Sequence, residues 1–174
     1  MCGPASMSLT TPRLHVEPLR PDHAHEMVPV LADPALYEYI GGSPPSEAEL
    51  VARYARQARG MSPDGRQGWL NWVLRLRAEG RPVGVAQATL GEDRGRLGAE
   101  LAWMLAVRDQ GAGLATEAMR AVMAWLRAQG IASFTAHVHP GHHASAAVAR
   151  RLGLVATPVL EDGETRWSAP GPAR

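Results

Sequence analysis

The chain has 174 residues, 45% hydrophobic and 20% charged, with a formal net charge of +1, values that suit one globular domain able to bury a core without staples. No apolar run approaches the roughly 18 residues of a membrane span, the near-neutral charge offers no general attraction to nucleic acid or membrane, and Cys2, the single cysteine, excludes an internal disulfide and any multi-cysteine zinc site. All 18 basic residues are arginine, which excludes Schiff-base chemistry on lysine and the phosphate-binding lysine of a P-loop.

The opening, MCGPASMSLTTPR, has no basic region followed by an apolar core. Residues 1–10 therefore read as a flexible arm rather than a secretory signal, residues 11–170 as one domain, and a cytoplasmic location is the expectation. RLHVEPL (13–19) alternates apolar and polar residues as a half-buried strand does, and Asp22 stands as N-cap of a helix to about Leu31. PALYEYI is a second helical piece, and Ser46 with Glu49 makes a capping box for EAELVARYARQAR. From Gly68 the period becomes two: WLNWVLRLR, VGVAQATL and LGAELAWML, with turns at AEGRP and GEDRGR, predict three successive antiparallel strands. GLATEAMRAVMAWLRAQG places Leu114, Ala118, Val122, Trp125 and Leu126 on one stripe of a helix that stops at Gly130. SFTAHV is a further strand, ASAAVARRLG a helix ending at Gly153, and RWSA an edge strand.

RDQGAGLATEAM (108–119) lies between the third of those strands and the long helix. Gly111 and Gly113 let the backbone turn its N–H groups toward one point, and the helix start adds free donors and a positive dipole end, a geometry suited to phosphate. A P-loop fails on spacing and on the missing lysine. A dinucleotide fingerprint fails because Thr116 stands at its third glycine and SFTAHV does not end in an acid. Taken alone, the glycines also fit a helix start that only packs tightly.

Gln110 to Ala115, QGAGLA, resembles the QxxGxA variant of the loop with which the GNAT superfamily of N-acetyltransferases holds the pyrophosphate of coenzyme A. TPRLHVEPLRPDHAHEMVPVLADPALYEYIGG resembles the opening of the subfamily containing the ribosomal-protein N-terminal acetyltransferases. AELAWMLAVRDQGAGLATEAM and HASAAVARRLGL resemble its later segments, so the likeness runs from residue 11 to residue 168. It implies an α/β (α+β) fold: a mixed central sheet of six to seven strands, splayed between the fourth and fifth, flanked by about four helices. It implies acetyl-CoA as cosubstrate and no metal. The main chain of Met104, Leu105, Ala106 and Val107 would meet the pantetheine arm, and Gln110, Gly111, Ala112, Gly113, Leu114, Ala115 and Thr116 would surround the pyrophosphate. The acceptor it implies is a primary amine, on a protein or peptide N-terminus or a small molecule, attacking directly in a ternary complex. Neither nucleic acid nor membrane is expected as partner, and a homodimer is common in such families.

Acetyl transfer to an amine needs a base for the ammonium proton, a polarised thioester carbonyl and a proton for the departing thiolate. Along LGAELAWML, alternation sets Gly98, Glu100, Ala102 and Met104 on one face, opposite Leu97, Ala99, Leu101, Trp103 and Leu105. Glu100, the only acid there, reads as a general base acting through water or as a surface or ion-paired glutamate. Many family members donate the thiolate proton from a tyrosine in the helix after the fifth strand; Ala149 is the nearest equivalent here, and residues 141–154 hold no tyrosine. Ser145 can donate to the sulfur or cap its helix. His142 stands where the subfamily usually carries asparagine, and its neutral imidazole, with one donor and one acceptor, can touch the coenzyme.

TAHVHPGHHAS holds His137, His139, His142 and His143, which raises a metal-dependent hydrolase as an alternative. The segment lacks the aspartate of HxHxDH, and only His15, His23 and His25 remain as distant ligands; in the plainer reading these are strand and helix-start residues. A module that binds acyl-CoA without transferring its acyl group is the other alternative, permitted by the missing tyrosine. Glu38, Glu47 and Glu49 can attract a cationic amine or form a solvated face.

Overall fold

Among the described residues, 4–93 and 95–169, the computed structural model has eight strands in one sheet and four α-helices. The strands are β1 (Leu9–Thr10), β2 (Leu14–Pro18), β3 (Gly68–Leu76), β4 (Pro82–Asp93), β5 (Arg96–Leu105), β6 (Ser133–Val138), β7 (Val155–Glu161) and β8 (Glu164–Ser168). The helices are α1 (Ala24–Met27), α2 (Glu47–Gln57), α3 (Leu114–Ala128) and α4 (His143–Arg151). The sheet order is β1-β2-β3-β4-β5-β6-β8-β7, and every neighbouring pair is antiparallel except β5 with β6.

The three period-two segments become β3, β4 and β5, antiparallel in succession. β4 runs on to Asp93 and β5 begins at Arg96, so the turn expected over GEDRGR is tighter, with Gly95 at φ 77° where a side chain would be strained. Leu70, Trp72, Leu74, Ala88, Leu101 and Phe134 bury one face of the sheet against the stripe of α3 and against α4. The α3 stripe is wider than predicted, because Met119 and Met123 join Leu114, Ala118, Val122 and Leu126, while Trp125 is only half-buried and meets Trp72 edge-on at 5.9 Å. The opposite face, through Val73, Val85 and Met104, packs on Met27 of α1 and on Leu50 and Tyr54 of α2.

Capping follows local rules. The Ser46 hydroxyl accepts from the Glu49 N–H while the Glu49 carboxylate accepts from the Ser46 N–H, which fixes the start of α2. Gly130 and Gly153 end α3 and α4 at φ 86° and 83°, and the N–H groups of Ile131 and Leu154 reach back to Leu126 O and Ala149 O.

Four expectations change. The helix predicted from Asp22 to Leu31 is a 3-10 turn, Pro21–His23, followed by α1 alone; Pro21 sets the turn one residue early, and Asp22 pairs with Arg20 instead of capping. β7 goes unpredicted because it is mostly exposed, contains Pro158 and shifts register between Ala156 and Leu160, which erases alternation. β8, read as an edge from RWSA, lies inside between β6 and β7, with Trp167 opposite both Ala136 and Ala156. Of the segment read as a flexible arm, residues 6–10 lie along the sheet: Leu9–Thr10 pair with β2, the Ser6 hydroxyl accepts from Asn71 N–H, and Met7 O accepts from the Trp72 indole. Among the described residues no helix is long and apolar enough to cross a membrane.

The feature that positions a site is the short contact between β5 and β6. They pair only at Gly98 with Ser133, Ala99 with Phe134 and Glu100 with Thr135, then part, leaving Leu101 to Leu105 facing a gap.

Candidate functional site

The loop after β5 sits at the far end of this gap. A 3-10 turn, Val107–Asp109, leads to Gly111 and Gly113, both left-handed at φ 77° and 79°, and Gly113 opens α3. The first bond of α3 runs from Glu117 N–H to Gly113 O, so the amides of Leu114, Ala115 and Thr116 have no partner within the helix. The Thr116 hydroxyl beside them is buried without a hydrogen-bond partner. The loop from Gly111 to Gly113 and Thr116 border a concavity of about 680 Å³ that also meets Arg13, Arg120 and Arg151, with Glu117 paired to Arg13, an environment that suits an anion such as pyrophosphate.

Side chains absent from the sequence prediction hold the loop. Asp109 is buried and accepts two hydrogen bonds from the Arg81 guanidinium at 2.8 and 2.9 Å, which holds its carboxyl below the usual range. Arg13 bonds Glu117 at 2.6 Å and the Ala112 carbonyl at 2.9 Å. Burial pushes the Glu117 carboxyl up, but bonds from Thr11 and Arg13 outweigh it and hold it below its ordinary value. Gln110 donates its amide to Leu105 O at 3.0 Å, and Ala106 gives its N–H to Val83 O, so both fasten the loop and strand. Leu105 and Ala106 are buried, Met104 is half-buried and Val107 is exposed.

At the point where β5 and β6 part, Glu100 carries the charge. One of its oxygens lies 3.1 Å from His137 Nδ1, and the His137 Nε2 lies 3.1 Å from Glu161 of β7. Glu100 is half exposed and His137 mostly covered, so the imidazole sits between two carboxylates. Sequence alternation placed Glu100 on the correct face; its partner His137, 37 residues away, and the Glu161 of unpredicted β7 that His137 also meets carried no local signal.

The remaining histidines separate into different contacts. His139 Nδ1 accepts from Gly141 N–H and closes the turn before α4. His142 precedes α4 and makes no side-chain cap; its ring stacks on Tyr39 at 4.6 Å, while His139 is tilted against the same tyrosine at 5.3 Å. Burial, then neighbouring His139, holds the His142 imidazole below its ordinary value. His143 opens α4 and is exposed. Ser145, in the first turn of α4, is half-buried and does not cap the helix. Among the described residues no group of three or more His, Cys, Asp or Glu has the arrangement of a metal site.

A second cavity, of about 550 Å³, opens on the α1 and α2 face of the sheet. Arg53, Tyr54 and Gln57 of α2 form one wall, and Gln87, Ala102 and Met104 of β4 and β5 form another that continues toward Glu100. The Tyr54 hydroxyl and Gln57 Oε1 are buried there without hydrogen-bond partners. The four-residue spacing of Glu49, Arg53 and Gln57 was the signal in the sequence for this polar stripe.

The family model described as an acetyltransferase (GNAT) domain matches residues 13–155. A Bordetella pertussis protein provisionally described as a GnaT-family acetyltransferase is similar at 25% identity, with a TM-score of 0.68 and 93% of this chain and 97% of that one covered. A Vibrio cholerae protein provisionally described as a ribosomal-protein-serine acetyltransferase is similar at 18% identity, with a TM-score of 0.74 over 93% and 96% of the two chains. AAC(6')-Ib, solved with ribostamycin and coenzyme A, is similar at 16% identity, with a TM-score of 0.72 over 89% and 91%. No curated protein sequence matches the chain.

Proposed function

Because the chain belongs to the acetyltransferase (GNAT) domain family, we propose that residues 11–170 act as one acetyl-CoA-dependent N-acetyltransferase domain that moves an acetyl group to a primary amine. The observation that carries this reading is the parting of β5 and β6 at Glu100 and Thr135, with a loop of unpartnered amides at the far end of the gap. The amides of Leu114 to Thr116 and the Thr116 hydroxyl receive the pyrophosphate, and the main chain of Met104 to Val107 lies beside the pantetheine arm.

Glu100 takes a proton from the acceptor ammonium, through water. The amine nitrogen then bonds to the thioester carbonyl carbon, a main-chain N–H near Met104 or Leu105 holds the oxyanion, and the C–S bond breaks to release the thiolate, which takes up the proton that the attacking nitrogen gives up. His137 engages one Glu100 oxygen and leaves the other for the water. Ser145, at the first turn of α4, donates to the sulfur, and His142 meets the coenzyme from the turn before it. AAC(6')-Ib was solved with an aminoglycoside and the Vibrio cholerae protein carries a protein-acetylating description, so acceptors of both kinds belong in the assay.

The assay is release of free thiol from acetyl-CoA across amino acids, peptides, polyamines and aminoglycosides. Glu100→Gln is expected to lower kcat/KM at neutral pH by on the order of 10²-fold, and Ser145→Ala by less. A Glu100→Gln enzyme at full rate sinks the proposed base, and saturable coenzyme A binding with no turnover of any amine favours a non-catalytic module.

A further inference from the structure

The cavity beside α2 leaves side chains free where the coenzyme loop leaves main chain free. Glu49, Arg53 and Gln57 lie one turn apart on α2. Glu49 is held by Ser46, whose N–H and hydroxyl both donate to its Oε2, and its charge faces Arg53 one turn on without forming an ion pair with it. Arg53 makes no ion pair among the described residues. Beside it the Tyr54 hydroxyl, on a residue only 2% exposed, has no partner, and neither has Gln57 Oε1. A folded chain rarely leaves adjacent polar groups of one helix turn unpaired at a cavity wall unless ordered water or a ligand completes them. Their chemistry is specific: a free guanidinium next to a hydroxyl donor matches a carboxylate, and the same Arg53 repels a polycation.

We propose that the acceptor is an amine that also bears a carboxylate, held by Arg53 and the Tyr54 hydroxyl while its amine reaches Glu100 along the Ala102 and Met104 wall. Gln57 Oε1 accepts from an N–H of the same molecule. A cavity of about 550 Å³ fits a free amino acid or the first residues of a short peptide. The inference rests on the acetyltransferase reading and names its substrate class.

The test uses matched pairs: amino acids against their carboxamides, and peptides with a free N-terminus and an Asp or Glu side chain against their Asn or Gln counterparts. Turnover is followed with acetyl-CoA, and acetyl-CoA affinity is measured separately by calorimetry. The carboxylate member of a pair is expected to show a KM at least tenfold lower. Arg53→Gln should erase that difference by raising KM with kcat little changed, Arg53→Lys should restore part of it, and acetyl-CoA affinity should stay constant in both. Preference within the amino-acid pairs or within the peptide pairs identifies the carboxylate's source. Equal use of both members, preference for polyamines or aminoglycosides, a ratio unchanged in Arg53→Gln, or turnover of other amines with no carboxylate acceptor used overturns the inference. Loss of the acetyltransferase reading looks different: no amine of any kind is acetylated, whether or not acetyl-CoA is bound.

Discussion

Around the glycine loop, the side chains of Arg13, Arg81 and Gln110 are committed to the loop itself, whereas at the α2 cavity, proposed to take the acceptor, Arg53 has no ion pair and the Tyr54 hydroxyl and Gln57 Oε1 no hydrogen-bond partner among the described residues. The difference follows from what each side meets. A pyrophosphate has one shape, so rigid backbone amides held by ion pairs suffice for it. An acceptor varies, and partly exposed side chains at a cavity wall, such as Arg53 and Gln57, can change without disturbing the sheet.

The largest effect should come from a change that damages both sides. Gly84 lies opposite Leu105, and a Cβ there would sit 2.1 Å from Met104 O and 2.7 Å from a Leu105 methyl. Gly84→Ala must push β5 away from β4, at a cost of about 3 kcal/mol in urea unfolding, and should weaken coenzyme and acceptor together. Arg81→Met separates the sides. Coenzyme A affinity by calorimetry should fall on the order of tenfold, with acceptor KM unchanged at saturating coenzyme. Because Arg81 holds the folded Asp109 pKa below the ordinary 3.8, the Tm gap between wild type and variant should be full above that pH and close as pH falls through the lower folded value.

Tyr54→Phe sharpens the contrast from the acceptor side. Burial has pushed this hydroxyl up to about 12, and without a partner it is a cost to the fold, so its loss should stabilise the protein by about 1 kcal/mol while raising acceptor KM. The smallest effect concerns His142, whose folded pKa is lowered from 6.5. The unfolded chain binds that proton more readily, so stability is full above pH 6.5 and declines as pH falls toward the folded value. His142→Phe keeps a ring against Tyr39, worth about 0.5 kcal/mol, and should flatten this part of a pH-dependent Tm curve.

Strand alternation read β3, β4 and β5 correctly because each buries every second residue against the α3 face. It failed for β7, whose residues face solvent around a Pro158 irregularity, and for β8, which looked like an edge until the hairpin with β7 covered it. In the site, the glycine loop and the face of Glu100 were legible, since φ requirements and a two-residue period are local. The clustered histidines, neighbours in sequence, diverge in the fold, where a strand, a turn and a helix start send His137, His139 and His142 to Glu100, Gly141 and Tyr39.

The sequence by itself determined where α2, α3 and α4 start and stop, that β3, β4 and β5 alternate and where backbone amides turn outward, because those rules act over four residues or fewer. Only the tertiary structure decided that Arg81 meets Asp109 across 28 positions, that Arg13 meets Glu117 across 104, and that His137 meets Glu100 across 37. Each of those pairs is set by sheet register and by the packing of α3 on the sheet, and no local pattern encodes a partner that the chain reaches only after it has folded.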